Sequence, residues 1–114
     1  MKVTIQSIHF DADRKLTSFV SSKCGKLSHF FDAIVDTQVF LRLDRNSSGE
    51  NKVVSLKVLV PGTTLQAEQQ GSTFEEATDL CLDQMKRQVK KYKERLRASQ
   101  GASFKASDTL GGES

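Results

Sequence analysis

The chain has no tryptophan, one tyrosine, one proline and two cysteines in 114 residues. Each shortage closes off a class of protein. Two cysteines cannot build the disulfide framework that staples small secreted domains. Cys24 and Cys81 each fall on the apolar side of an expected helix and read as small reduced core residues. His9 and His29 have no Cys, Asp or Glu around them at metal-ligand spacing, so neither a metal nor a cofactor is expected. No apolar run approaches the roughly 20 residues that span a bilayer, and the Met1–Ile5 stretch has no apolar core of a signal peptide. The expectation is a cytoplasmic protein with no membrane partner. A Gly-rich phosphate loop, a nucleophile elbow and a His-Glu metal pair are all missing. Asp11 and Asp13 form a carboxylate pair, but helix capping accounts for them. The chain therefore reads as a non-enzyme without a small-molecule substrate.

What is present fits one small α+β domain. Charged residues make up 27% and hydrophobic ones 37%, a globular rather than disordered balance. Val3–Phe10 is rich in β-branched and apolar residues and predicts a strand. From Arg14, the positions Leu16, Phe19, Val20, Cys24 and Leu27 recur at helical spacing, and Phe30 and Phe31 close a helix of about four turns. Between Ala33 and Arg45 the period changes to two, with Val35, Thr37, Val39, Leu41 and Leu43 on one side. Asn46–Gly49 predicts a hairpin turn, and Lys52–Val60 and Thr63–Gln69 predict two further strands around Pro61-Gly62. Ser72 and Glu75 fit a capping box before a helix of about 25 residues, whose apolar stripe is Phe74, Ala77, Cys81, Met85, Val89, Tyr92 and Leu96. After Ala98 the composition falls to Ser, Gly, Ala and Thr, which predicts a domain over 1–98 and a flexible tail over 99–114. The order is β-α-β-β-β-α. Its economical packing is two helices side by side on one face of a four-stranded, mostly antiparallel sheet.

Charge is distributed unevenly. From Lys86 to Arg97 there are seven basic residues and one acid, a local +6 that leaves −3 for the rest of the chain. At 100° per residue the apolar stripe covers a sector of about 80°. Lys86, Lys90, Lys93 and Arg97 cluster about 110° to one side of it. Arg87, Lys91 and Arg95 flank it on the other. Seven cations repel one another, and only Glu94 and Asp83 offset them locally. Two or three could be ordinary helix C-terminal residues; seven of twelve point to a polyanionic partner. Lys23 and Lys26 can extend the patch from the first helix. Arg42 and Arg45 lie on or near the outward face of the long strand, where solubilising decoration is the plainer reading. Nothing resembles a recognition helix, a zinc finger or an aromatic stacking pair, so contacts should go to phosphates.

The motifs resemble those of the ribosome hibernation-promoting factor family, which includes the ribosome-associated inhibitor proteins. Phe19-Val20-Ser21-Ser22-Lys23-Cys24-Gly25-Lys26-Leu27 is similar to the family's F-V-x-x-K-x-x-K-L pattern, with an aromatic-Asp following at Phe31-Asp32. Arg87-Gln88-Val89-Lys90-Lys91-Tyr92-Lys93 is close to its R-Q-L-x-K-x-K run, and Gly71 matches the glycine before that helix. The resemblance implies a fold like that of double-stranded-RNA-binding domains. It also implies binding to ribosomal RNA at the decoding region of the small ribosomal subunit, between its head and body, over the messenger and transfer RNA sites, which keeps ribosomes inactive under stress. By position it carries over Lys23, Lys26, Arg87, Lys91 and Lys93, with Arg42 and Arg45 in place of lysines. Lys86, Lys90 and Arg95 are candidates on charge. Gln84 and Glu75 depart from the family pattern, where Lys and Tyr are frequent. The length resembles the short type, expected to be monomeric when free. A general double-stranded-RNA-binding module and a protein-interaction regulator are the competing readings.

Overall fold

A computed structural model describes residues 2–44 and 51–102. Its elements are β1 (Lys2–Ile8), α1 (Arg14–Gly25), α2 (Leu27–Phe30), β2 (Asp36–Leu43), β3 (Lys52–Val60), β4 (Thr63–Gly71) and α3 (Phe74–Ala102). The four strands lie in sequence order. β1 runs parallel to β2 across the α1 crossover, and the other two ladders are antiparallel. The sheet is thus mixed, in an α+β domain. The expected turn at Asn46–Gly49 and all but the first residues of the expected tail lie outside the described residues. α3 itself runs four residues past Ala98, the expected boundary.

The two-residue period of the strands decides which face is buried. Thr37, Val39 and Leu41 of β2 and Val54, Leu56, Val58 and Val60 of β3 are buried. The register sets Val39 beside Leu56 and Leu56 beside Ala67, so these side chains form one apolar face. α1 and α3 cover it with Val20, Cys24, Ala77, Cys81, Met85, Val89 and Tyr92. Burying one such aliphatic side chain contributes about 1.5–3 kcal/mol. Val35 is in phase with this face but precedes the strand, and it is 59% exposed. Leu96 is in phase with the helix stripe but follows Tyr92, the last buried residue of α3 among the described residues, and it is exposed as well.

Local hydrogen bonds place the helix ends. Asp13 caps α1, its Oδ1 accepting from the Leu16 N–H at 2.8 Å. The single first helix expected from the apolar pattern is instead broken at Lys26, whose N–H donates to the Lys23 carbonyl at 3.2 Å in a tightened last turn. The Ser28 hydroxyl takes up the Gly25 carbonyl at 2.8 Å, and α2 begins. At α3 the capping box is shifted one residue from the expected Ser72 and Glu75. Thr73 Oγ1 accepts from the Glu76 N–H at 3.0 Å, and Glu76 Oε1 accepts from the Ser72 N–H at 2.8 Å and the Ser72 hydroxyl at 2.9 Å. These bonds, the backbone one foremost, hold the Glu76 carboxyl below its ordinary pKa. Gly71 is required here, because a Cβ would come within 2.9 Å of Glu76 Oε1 and 3.1 Å of the Ala77 nitrogen. Phe10 stacks on Phe74 at 5.1 Å and ties the β1–α1 connection to the start of α3.

Candidate nucleic-acid interface

α3 lies between two neighbours, and its flanks are identified by what they touch. On one flank Gln84 Oε1 accepts from Gln69 Nε2 of β4 at 2.7 Å, and Gln88 Nε2 donates to the Gln66 carbonyl of the same strand. On the other flank Asp79 pairs with Lys23 of α1 at 3.5 Å, and Lys93 Nζ donates to the Phe30 carbonyl of α2 at 3.2 Å. The 100° step then sorts the cations. Lys86, Lys90 and Arg97 belong to the α1–α2 flank with Lys93. Arg87, Lys91 and Arg95 belong to the side toward β4. All except Lys93, which is half-buried, are exposed.

The two halves of α3 carry opposite charge. Residues 74–85 hold Glu75, Glu76, Asp79 and Asp83 and no Lys or Arg. Residues 86–97 hold the seven cations and Glu94. Acids near the N-terminus and bases toward the C-terminus both suit the helix dipole. At about 1.5 Å per residue the 29 residues of α3 extend about 43 Å, longer than a nine-residue strand at about 30 Å. Tyr92 is the last core contact, its hydroxyl donating to the Pro61 carbonyl. Past it, 94–98 are exposed and carry Arg95 and Arg97.

The remaining candidates divide between two surfaces. Lys26 is exposed at the α1–α2 junction, and Lys23 stands a turn earlier with its Nζ 5.5 Å from the Phe19 ring centroid. Both are on the helix side of the sheet, next to the Lys86–Lys90 flank. Arg42 is not. It projects from the opposite face, away from α1 and α3, where it pairs with Glu68 at 3.5 Å, and Glu68 accepts from the Ser55 hydroxyl at 2.7 Å. Arg45 lies outside the described residues. Sequence reasoning passed over Lys57, which shares that face with Arg42 and sits 5.5 Å from the Phe40 ring centroid. The strand period alone places Lys57 and Phe40 on one face and could have found it.

Catalytic and metal chemistry gains no support from this geometry. Among the described residues no group of three His, Cys, Asp or Glu could hold a metal ion. Burial pushes the Cys24 and Cys81 thiols up to about 12, so both stay protonated and unreactive. Among the described residues no helix is long and apolar enough to cross a membrane.

The model of the family described as sigma 54 modulation protein / S30EA ribosomal protein matches residues 3–97. The chain belongs to that family. Among S30EA relatives, the ribosome hibernation promoting factor of Pseudomonas putida is 27% identical over 95 residues, covering 83% of this chain and 89% of the relative. The ribosome hibernation promotion factor of Bacillus subtilis is 30% identical over 98 residues, 84% of this chain and half of that longer protein. A ribosomal subunit interface protein from Coxiella burnetii superposes with a TM-score of 0.74 at 20% identity, over 82% of this chain and 99% of its own. The N-terminal domain of Protein Y from Thermus thermophilus gives 0.68 at 20% identity, over 81% and 99%. These two likenesses establish that the fold is shared.

Proposed function

We propose that the chain is a ribosome-binding hibernation factor that occupies the decoding region of the small subunit, over the messenger and transfer RNA sites. The observation that carries this reading is the cationic half of α3. Six of its seven cations are exposed, and they project from both flanks of a helix whose only aromatic residue there, Tyr92, is buried. With no ring available to stack on a base, this helix contacts phosphates. Lys23 and Lys26 extend the surface from α1. Arg42 faces away from it and is left out of the principal contact. The names of the relatives support the ribosome as target, and a cleft lined by RNA on both sides suits a helix charged on both flanks.

The test is competition. Purified protein is titrated onto small subunits carrying a labelled transfer-RNA anticodon stem-loop and a short message. Displacement of the stem-loop at stoichiometric protein supports occupancy of the decoding region. Cosedimentation with the subunit while the stem-loop stays bound contradicts it. Preference for free duplex RNA over the subunit would favour a general double-stranded-RNA binder. An RNase-insensitive protein partner would favour an interaction regulator.

A further inference from the structure

Among the described residues, Lys93 is alone among the seven cations of residues 86–97 in having a protein partner, and it has three. Its Nζ donates to the Phe30 carbonyl at 3.2 Å. The same nitrogen is 5.0 Å from the Phe30 ring centroid and 5.7 Å from that of Phe31. Phe30 ends α2, so its carbonyl is among those a helix terminus leaves without an intrahelical donor. The preceding residue grips the same corner: the Tyr92 ring meets Phe31 edge-on at 5.7 Å, and its hydroxyl donates to the Pro61 carbonyl. Two consecutive residues of α3 thus hold the segment that leads from α2 into β2. On the same flank, Lys86, Lys90 and Arg97 are exposed.

We propose that Lys93 is a positioning residue of the cationic surface and not a phosphate ligand: it clasps the end of α2 to α3 and so sets where Lys26 and Lys23 stand relative to Lys86 and Lys90. A phosphate at Lys93 would have to share the ammonium with the Phe30 carbonyl and compete with both rings for its charge, which Lys86 and Lys90 do not require. Lys26 depends on this clasp because α2 has only four residues and follows it directly. Within α2, Leu27 alone is fully buried. The consequence for binding rests on reading α3 as the polyanion surface; the clasp itself does not.

The experiment has two arms. In the free full-length chain, hydrogen exchange of the Leu27–Phe31 amides is compared for wild type, Lys93→Met and Lys93→Arg. The proposal expects several-fold faster exchange in K93M and near-wild-type exchange in K93R, which keeps a donor and a cation over the rings. On small subunits, K93M should bind several-fold more weakly with an unchanged slope of log affinity against log salt, whereas Lys90→Met should flatten that slope by somewhat under about 0.9. Unchanged exchange in K93M overturns the clasp. A slope loss in K93M equal to that in K90M makes Lys93 a phosphate ligand and overturns the proposal too. If wild-type binding shows no salt dependence, the reading of the surface fails while the exchange arm still decides the clasp.

Discussion

The two halves of α3 use charge in different ways. In residues 74–85 two of the four acids serve the fold directly: Glu76 closes the capping box and Asp79 pairs with Lys23 of α1. In residues 86–97 six of seven cations have no such employment among the described residues, and they repel one another along two flanks. A domain this small buries about 60–65% of its unfolded surface and has little stability to spare for unused repulsion. The difference teaches how to separate the two roles of charge on one helix. Charges with protein partners explain why the helix starts where it does and lies where it lies. Charges without them are explained by something the protein meets.

Substitutions in the two halves should therefore separate stability from binding. The largest effect is expected from reversing Lys86, Arg87, Lys90 and Lys91 to Glu together. Subunit affinity should fall by about a hundredfold or more, while each exposed change alters stability by no more than about 0.5 kcal/mol in denaturant titration. Equal losses of both would erase the contrast. Next, Leu82→Ala removes a buried side chain from the acidic half and should cost about 2–5 kcal/mol of stability, with the salt dependence of binding by the folded protein unchanged. Thr73→Ala removes the N-cap acceptor and should cost about 1 kcal/mol. Glu76 adds a pH signature to that cap. Its carboxyl titrates lower in the folded chain than in the unfolded one, so its contribution is complete above the ordinary carboxylate range and is lost as pH falls through its folded value. Glu76→Gln should flatten the acid limb of a melting-temperature profile. The smallest effect belongs to Asp79→Asn, since a surface pair with Lys23 contributes about 0–1 kcal/mol; a large loss of binding from it would show that the acidic half takes part after all.

The strands were legible because period two leaves one reading: Val39, Leu41, Val54, Leu56 and Val58 are all inward. Where residues fit two patterns, tertiary contact chose. Both Ser72 with Glu75 and Thr73 with Glu76 satisfy the capping-box spacing; the close approach of Gly71 to Glu76 belongs to the second. The apolar series running on through Leu27, Phe30 and Phe31 concealed the break at Lys26, which bonds of Ser28 and Lys26 to nearby carbonyls impose. Val35 and Leu96 keep the phase of the buried positions near them and are nevertheless exposed. The cationic run was evident as a charge count, and its two flanks as an angle. Which flank faced α1 and which faced β4 was settled by Lys23, Gln66 and Gln69, residues far away in sequence. Arg42 and Glu68 meet across β3 through a register that no single strand encodes. Family resemblance grouped Lys23 and Lys26 with Arg87, Lys91 and Lys93; the geometry sets Lys23 and Lys26 beside the flank that carries Lys86, Lys90 and Lys93.

The claim that the unpartnered cations of α3 are the working surface is tested most directly by cosedimentation with small ribosomal subunits across a salt series. The account predicts a log–log slope steeper than about −3, as expected when several phosphates release counterions, and little binding or slope left after reversal of Lys86, Arg87, Lys90 and Lys91. Binding that ignores salt, or that survives the reversal with the same slope, would contradict it.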